Sequence, residues 1–403
     1  MAGLFAGNLL VRQGWTVDIY ERVEGKLSTR GAGIAGHPEL SALLAASGAD
    51  DQGLASVTVS GRVAFGPAGE RLASYDYQQY LTPWASVYEL LHDAFPAKRY
   101  HSGIGLRDIQ QGDRQAVALL TDGSQVEADL IIGADGFRSR VREIVAPATE
   151  PRYGGYVAFR GLTFERDLSL RFRREVFDTF AFLFPGVGQF IGHPMLGQDK
   201  SNDWGERRYG YLWYRPVAAG APLDDLLTDA AGTTHDFSIP PPLIRGEHVA
   251  AIKRHAAGTL PEPFAEAVQS AYLHMLQPIY DVTSQQIGFG RVALIGDAAF
   301  VARPHVGIGV LKAAQDAEAL VHCLGLNDDV ATAVSAFDRQ RVPVGRATVR
   351  FAAHLGSFIE RGLPFPWGNG EAEMSAEYII RSSARPLDKA DEALATEEQF
   401  NWA

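Results

Sequence analysis

The 403-residue sequence predicts an α/β fold into which an antiparallel β-sheet is inserted, followed by C-terminal helices. Three observations carry that expectation. Two short apolar runs, 130–132 and 292–295, have turn residues on both sides and an acid just past their carboxyl ends, the pattern of buried parallel strands. Helical spacing flanks them, most plainly at 310–324, where Leu311, Ala314, Ala317, Leu320 and Val321 share a face. Between 156 and 279 the character changes. Aromatic and β-branched residues dominate there, and Gly and Pro interrupt them at short spacing, as in an antiparallel sheet.

At the start, residues 2–13 are helical in pattern, with Gly14 as C-cap, and 16–20 (TVDIY) reads as a strand ending at Glu21-Arg22. A helix, a tight turn and a strand ending in an acid form the second half of a dinucleotide-binding βαβ unit. In such units an acid about 20 residues past the glycine loop accepts hydrogen bonds from a ribose. Glu21 holds that place; the alternative is a solvated strand-end charge. Gly3 can serve as the last glycine of the loop, where helix and strand must pack closely. The earlier glycines and the first strand would precede residue 1, so we expect the sequence to begin at an internal methionine of a longer chain.

Arg30-Gly31-Ala32-Gly33-Ile34 is a second glycine-bearing loop in which Arg30 either reaches a phosphate or belongs to a surface turn. Residues 38–47 read as a helix, 57–77 as a hairpin reaching toward the inserted domain, and 84–95 as a helix. Residues 115–121 and 125–128 pair through the Asp122-Gly123 turn. The 130–132 strand leads into GADGFRSRVR, where Asp135-Gly136 lies at the carboxyl end. Arg138 and Arg142, four apart, either meet phosphates or form a solvated basic face. In the inserted region the pocket candidates are Tyr211, Trp213, His193 and Arg215. Alternation puts Tyr209, Tyr211 and Trp213 on one face. Helices are expected at 223–231 and 263–276.

The stretch 288–324 (GFGRVALIGDAAFVARPHVGIGVLKAAQDAEALVHCL) organises the rest. Asp297 sits at the carboxyl end of a strand, where open α/β sheets bind ligands. The loop after it carries Pro304, His305, Gly307 and Gly309. Its free amides and the helix start can hold an anion or a polarised carbonyl. Gly325 is the expected stop. Residues 329–355 follow as a helix that Pro343 should break.

Composition excludes other classes. The net charge of −11 argues against nucleic acid or an anionic membrane as partner. A lone Cys323 excludes an intrachain disulfide framework, reads as a buried small hydrophobe, and fits a cytoplasmic protein. No apolar run spans a bilayer, and the histidines do not fall at zinc spacings, so no metal site is expected.

Taken together, GDAA at 296–299 with Pro304, Gly307, Gly309, Ala314 and Asp316-Ala317, and GADGFRSRVR at 133–142, resemble the flavin motifs of the single-component, class A FAD-dependent aromatic hydroxylases. The wording ARPH at 302–305 is similar to the branch acting on hydroxylated pyridines. The resemblance covers most of the chain. It implies a Rossmann-like FAD-binding domain (1–155 and 280–326), an antiparallel substrate domain (156–279) and C-terminal helices and tail (327–403). It implies FAD as cofactor, NADH or NADPH as co-substrate, and O₂. The substrate would be a small aromatic or heteroaromatic ring, hydroxylated through a flavin C4a-hydroperoxide. Gly3, Glu21, Arg22, Arg30, Asp135, Gly136, Arg138, Asp297, Pro304, Gly307 and Gly309 would then serve the cofactor. His305, Tyr211 and His193 are the candidates for catalysis, His305 as base or proton relay or as an imidazole bonded to its own loop. Where relatives place an arginine for the pyrophosphate this sequence has Trp84, Ser86 and Tyr88, so Ser86 would substitute as a neutral donor. A homodimer fits the charged C-terminal region. The rival readings are a same-fold flavin reductase that never hydroxylates and a truncated, FAD-free chain that is not an enzyme.

Overall fold

A computed structural model describes residues 1–25, 27, 33–50, 54–366, 374–388 and 391. The first half of the chain forms α1 (Ala2–Arg12), β1 (Ile19–Glu21), β2 (Gly33–Ala35), α2 (Pro38–Ala46), β3 (Val57–Phe65), β4 (Arg71–Pro83) and α3 (Trp84–Ala94). It continues through β5 (Tyr100–Ser102), β6 (Leu106–Gln111), β7 (Ala116–Leu120), β8 (Gln125–Ala128), β9 (Ile131–Gly133) and α4 (Arg140–Val145). The middle holds β10 (Arg152–Phe164), α5 (Leu170–Phe172), β11 (Phe180–Leu183), β12 (Gln189–Met195), β13 (Arg208–Pro216), α6 (Ala221–Leu227), α7 (Gly246–Thr259), α8 (Glu262–Gln269) and β14 (Leu273–Thr283). The last part is β15 (Gly288–Phe289), β16 (Val292–Leu294), β17 (Phe300–Val301), α9 (Gly309–Leu326), α10 (Val330–Glu360) and α11 (Ala376–Ser382).

The short parallel strands form as their apolar runs predict. β16 runs parallel to β9 with Val292 opposite Ile131, and β15 pairs on its other side. β1 runs parallel to β5 in a separate two-stranded sheet, and β6, β7 and β8 make an antiparallel meander. α1, α9 and α10 bury apolar faces against β9 and β16: Leu4, Phe5 and Leu10 meet Leu294, Leu311, Leu320 and Phe337 in one core.

A nine-stranded sheet of order β17-β14-β10-β13-β12-β11-β3-β4-β2 forms the second layer. It is not purely antiparallel: β11 runs parallel to β3, with Phe180 opposite Arg62. The 57–83 hairpin therefore enters the sheet rather than merely reaching toward it. Both sheet faces are buried. Tyr156, Ala158, Phe182, Ile191 and Tyr214 pack with Phe358, Ile359 and Ile380 of the C-terminal helices. The opposite face, with Phe190, Tyr209, Tyr211 and Trp213, packs on Phe172, Ile252 and Phe264 of α5, α7 and α8.

Three local expectations fail. The 263–276 helix ends at Gln269, and Leu273–Thr283 is a strand, because pairing along β10 outweighs a weak helical pattern. α9 passes through Gly325 to Leu326, and α10 passes through Pro343 as one 31-residue helix. A proline removes a single ladder hydrogen bond, while Phe337, Phe351, Leu355 and Phe358 fix α10 by burial.

The C-terminal segment folds back onto the hairpin. Arg62 of β3 is almost wholly buried, and it donates to the carbonyls of Ile380 (2.8 Å), Ser383 and Ala384 (2.9 Å) and to Gln79 Oε1 (3.1 Å). Gln79 adds a bond of 2.9 Å to the Ala384 carbonyl. An arginine fork here performs the capping that the end of α11 requires.

Candidate active site

The site begins where β16 ends. Gly296 has φ 62°, and a Cβ there would come 2.8 Å from the Ala2 Cβ. Only glycine lets this turn pass the start of α1. The turn is fixed from behind by buried charges. Gly296 N donates to Asp316 Oδ2 (3.0 Å), Lys312 Nζ donates to the Gly296 carbonyl (2.9 Å), and Arg341 Nε donates to Asp316 Oδ1 (2.9 Å). Asp297 is presented in front of them, solvent-exposed yet enclosed in a cleft. Burial raises its carboxyl pKa, while Lys312 and Arg142 oppose that rise. The start of α1 lies near both Asp297 and Glu21. Arg142 is buried and donates to the carbonyls of Asp297 (3.4 Å), Ala298 (3.1 Å) and Phe137 (2.6 Å), tying the end of β9 to the Asp297 turn.

The following loop turns over Pro304–Val306, and Gly307 stands at φ 62°. A Cβ on Gly307 would come 2.7 Å from Ala384 Cα, and Ala384 N donates to the His305 carbonyl (3.0 Å). α9 then starts at the exposed Gly309, whose would-be Cβ meets nothing within 4 Å. An open helix start beside a recessed carboxylate has amides and an acceptor free for the polar parts of FAD.

His305 is buried behind that loop. Its Nε2 lies 2.7 Å from Tyr156 Oη, and its ring centre lies 4.6 Å from that of Tyr214. Burial, helped by Arg303, pushes the imidazole pKa down to about 3, so it is neutral at ordinary pH. Arg303 donates through Nε to Asp281 Oδ2 (2.9 Å) and through Nη1 to Glu360 Oε2 (2.8 Å), and stands over the Tyr156 ring at 5.4 Å. Burial alone would lower the Arg303 pKa; Tyr156, Asp281 and Glu360 outweigh it.

On the sheet face that carries Tyr156 and Tyr214 lie also Arg160 and His193. Arg160 Nη1 donates to Gln277 Oε1 at 2.8 Å. His193 Nδ1 is 3.1 Å from the Pro194 carbonyl, and burial lowers its pKa. A Cβ on Gly33 would come 3.2 Å from His193 Cε1, so the edge strand β2 lies close to His193.

Several predicted site residues stand elsewhere. Tyr211 is on the opposite face, stacked on Phe190 at 5.2 Å, with Tyr209 and Trp213. Strand alternation grouped the three correctly, but both faces are apolar, and the pattern cannot say which one meets the site. Arg138 is exposed, precedes α4, and donates to the Asp236 carbonyl (2.6 Å) and Ser238 Oγ (3.1 Å). Arg142 is the arginine at the Asp297 turn. Asp135 accepts from Ser139 Oγ (2.5 Å) and Val141 N (3.1 Å), which occupies its carboxylate at the start of α4. Gly136 has φ 78° and open space around its would-be Cβ. A Cβ on Gly3 would come 3.3 Å from the Ala134 Cβ, Glu21 accepts from Val23 N (2.9 Å), and Arg22 is exposed. Arg30 lies outside the described residues. Ser86 is buried, and its hydroxyl has no partner among the described residues.

Sequence reasoning missed Tyr156, Tyr214, Arg160 and Arg303 as members of the site. It also missed His37, 4% exposed and next to the backbone of Gly307. The signal for the first three was the register of β10 against β13, which places Arg160 opposite Leu212 and so diagonal to Tyr214. Among the described residues no group of His, Cys, Asp or Glu is placed to hold a metal ion, and no helix is long and apolar enough to cross a membrane.

Comparison with known proteins identifies the group. Residues 153–281 match a family described as FAD binding domain-like. The chain is 30% identical over 375 residues to 2,6-dihydroxypyridine 3-monooxygenase of Paenarthrobacter nicotinovorans, which covers 92% of each. It is 25% identical over 414 residues to aurachin C monooxygenase/isomerase of Stigmatella aurantiaca, covering 99% of this chain and 96% of that one. The solved structure of 2,6-dihydroxypyridine-3-hydroxylase from Arthrobacter nicotinovorans superposes with a TM-score of 0.85 at 29% identity, covering 96% of this chain and 95% of that one. The chain is an FAD-dependent monooxygenase enzyme, and it belongs to the class A FAD-dependent aromatic monooxygenases.

Proposed function

We propose that the chain hydroxylates an electron-rich heteroaromatic ring of the hydroxypyridine kind, consuming NADH or NADPH and O₂. The observation that carries this reading is the buried cluster Tyr156–His305–Tyr214, which joins the loop after Asp297 to one face of the nine-stranded sheet. FAD, once reduced by the nicotinamide, supplies the activation of O₂ that ring hydroxylation needs. The residues of this chain do the rest. Asp297 and the amides at Gly307 and Gly309 would hold the cofactor's polar groups, with Glu21 at its ribose end. Tyr156, Tyr214 and Phe182 form apolar walls that exclude water from the reacting ring. Neutral His305, hydrogen-bonded to the Tyr156 hydroxyl, would serve as a positioning and relay group that hands one proton on as it takes another, since a pKa near 3 makes it too weak a base to hold a ring proton. The division into cofactor, substrate and C-terminal parts at 155/156, 279/280 and 326/327 belongs to the same reading.

The test is coupled turnover. The purified enzyme is given NADH or NADPH and 2,6-dihydroxypyridine while oxygen uptake is followed and product mass is measured. A gain of one oxygen atom per nicotinamide oxidised is expected. Nicotinamide oxidation that yields only hydrogen peroxide with every hydroxylated ring tried would refute the proposal.

A further inference from the structure

We infer that Arg160 is the receptor for an ionised ring oxygen, so that the enzyme selects its substrate as an anionic hydroxy-heteroaromatic. This deepens the hydroxylase reading and rests on it. Arg160 sits on the face of β10 that also carries Tyr156, two residues along from Ala158, which is small. The protein surrounds it, yet it keeps some solvent contact, so it lines an internal cleft and not the outer surface. Among the described residues its single hydrogen-bond partner is the neutral Gln277 Oε1, and no carboxylate pairs with it. Other enclosed arginines have more partners. Arg303 has two carboxylates, Arg341 has Asp316 and Arg207 has Glu165, while Arg62 and Arg142 each donate to three backbone carbonyls. Burial acts against the Arg160 charge, and the Tyr214 hydroxyl favours it. An enclosed guanidinium with donors to spare and no counter-ion is complementary to an anion that arrives with the ligand.

The neighbours narrow the chemistry. The Pro194 carbonyl can only accept, so His193 Nδ1 carries the proton and neutral His193 offers Nε2 as an acceptor. Tyr214 is diagonal to Arg160 on the same face, and its ring centre lies 4.6 Å from that of His305. A cation, a phenol and one imidazole acceptor on a shared face fit a flat ring with an anionic oxygen beside an N–H or O–H donor. A simple carboxylate would leave the His193 lone pair facing an acceptor.

The experiment measures equilibrium binding of 2,6-dihydroxypyridine to the FAD-loaded enzyme by perturbation of the flavin absorbance, across the pH range in which the ring ionises. 2,6-Dimethoxypyridine, which cannot form the anion, is the neutral probe. The inference expects wild-type affinity to rise as the ring ionises. It expects Arg160→Met to weaken anion binding by roughly 10–100-fold and to flatten that pH dependence. Dimethoxypyridine binding should be unchanged by that substitution, and Arg160→Lys should restore part of the loss. The pH dependence of the wild type tests the idea without any variant, should Arg160→Met fold poorly. An affinity independent of ring ionisation, or Arg160→Met binding within threefold of wild type, overturns the inference. Its failure is separable from that of the hydroxylase reading. Hydroxylation by a wild type that binds the neutral ring equally well sinks only the role of Arg160. Tight, ionisation-dependent binding without hydroxylation sinks only the reaction.

Discussion

Gly356 on α10 is the position where one methyl group should do most harm. A Cβ there would stand 2.3 Å from Tyr156 Oη and 2.7 Å from His305 Nε2, whereas non-bonded heavy atoms settle near ~3.5–4 Å. Three effects compete in Gly356→Ala. Alanine is the better helix former, by up to about 1 kcal/mol. Overfilling a well-packed interior costs about 1–3 kcal/mol. Driving the hydroxyl away from His305 leaves a buried donor and acceptor unpaired, at about 1–3 kcal/mol. The clash should win, with a net loss of about 2–4 kcal/mol. Urea unfolding followed by circular dichroism reads it as a lower midpoint at unchanged slope. In a Tyr156→Phe background the nearer obstacle is gone, and the added methyl should cost about 1 kcal/mol less, a coupling typical of residues in contact. Gly356→Ala with a midpoint equal to or above that of wild type would refute the reasoning, since only the helix-propensity gain would then remain.

Acid should weaken the fold through two histidines. Burial holds His305 near 3 and His37 near 4, below the ordinary value of 6.5, so the unfolded chain takes up these protons first. Their stabilising effect is complete above about 6.5 and is lost as pH falls toward 4 and then 3, by up to ~1.4 kcal/mol per pH unit for each group. Urea midpoints between pH 7.5 and 5 should fall in wild type and fall less in His305→Asn; parallel slopes would contradict this. Arg303→Met strands Asp281 and Glu360 and should destabilise by about 3–5 kcal/mol by the same assay. A loss under 1 kcal/mol would show that water replaces the pair. Asp297→Ala should reduce FAD affinity at least about tenfold while the far-ultraviolet spectrum stays unchanged. A wild-type ratio of visible to protein absorbance after dialysis would remove Asp297 from the cofactor site.

Much of the cofactor side was legible because its signals are local. The runs at 130–132 and 292–295 are short, apolar and bounded by turns, and they became β9 and β16. Gly296 and Gly307 mark turns that no other residue could make without strain. The substrate side was legible only as a sheet. Which face of β13 meets the site depends on α7 and α8 covering Tyr211 and Trp213, a fact of tertiary packing. The same holds for Arg138 and Arg142. One basic cluster divides into an exposed arginine and a buried one according to where α4 begins. Pro343 failed as a helix breaker because burial along α10 is distributed over many turns, and the sequence displays the proline more plainly than the compensation.

The arginine fork at Arg62 has a consequence for how the enzyme is made. Its carbonyl partners lie 318–322 residues later in the chain. At ~5–20 residues per second, a ribosome delivers them roughly 15–65 s after Arg62 has been added. Until then the guanidinium must stay hydrated, which keeps the β3–β4 hairpin from closing over it. The Gly307 loop also waits, because Ala384 is the residue that backs it. The turn at Gly307 and the buried surroundings of Arg62 therefore take their final shape only after nearly the whole described chain has emerged.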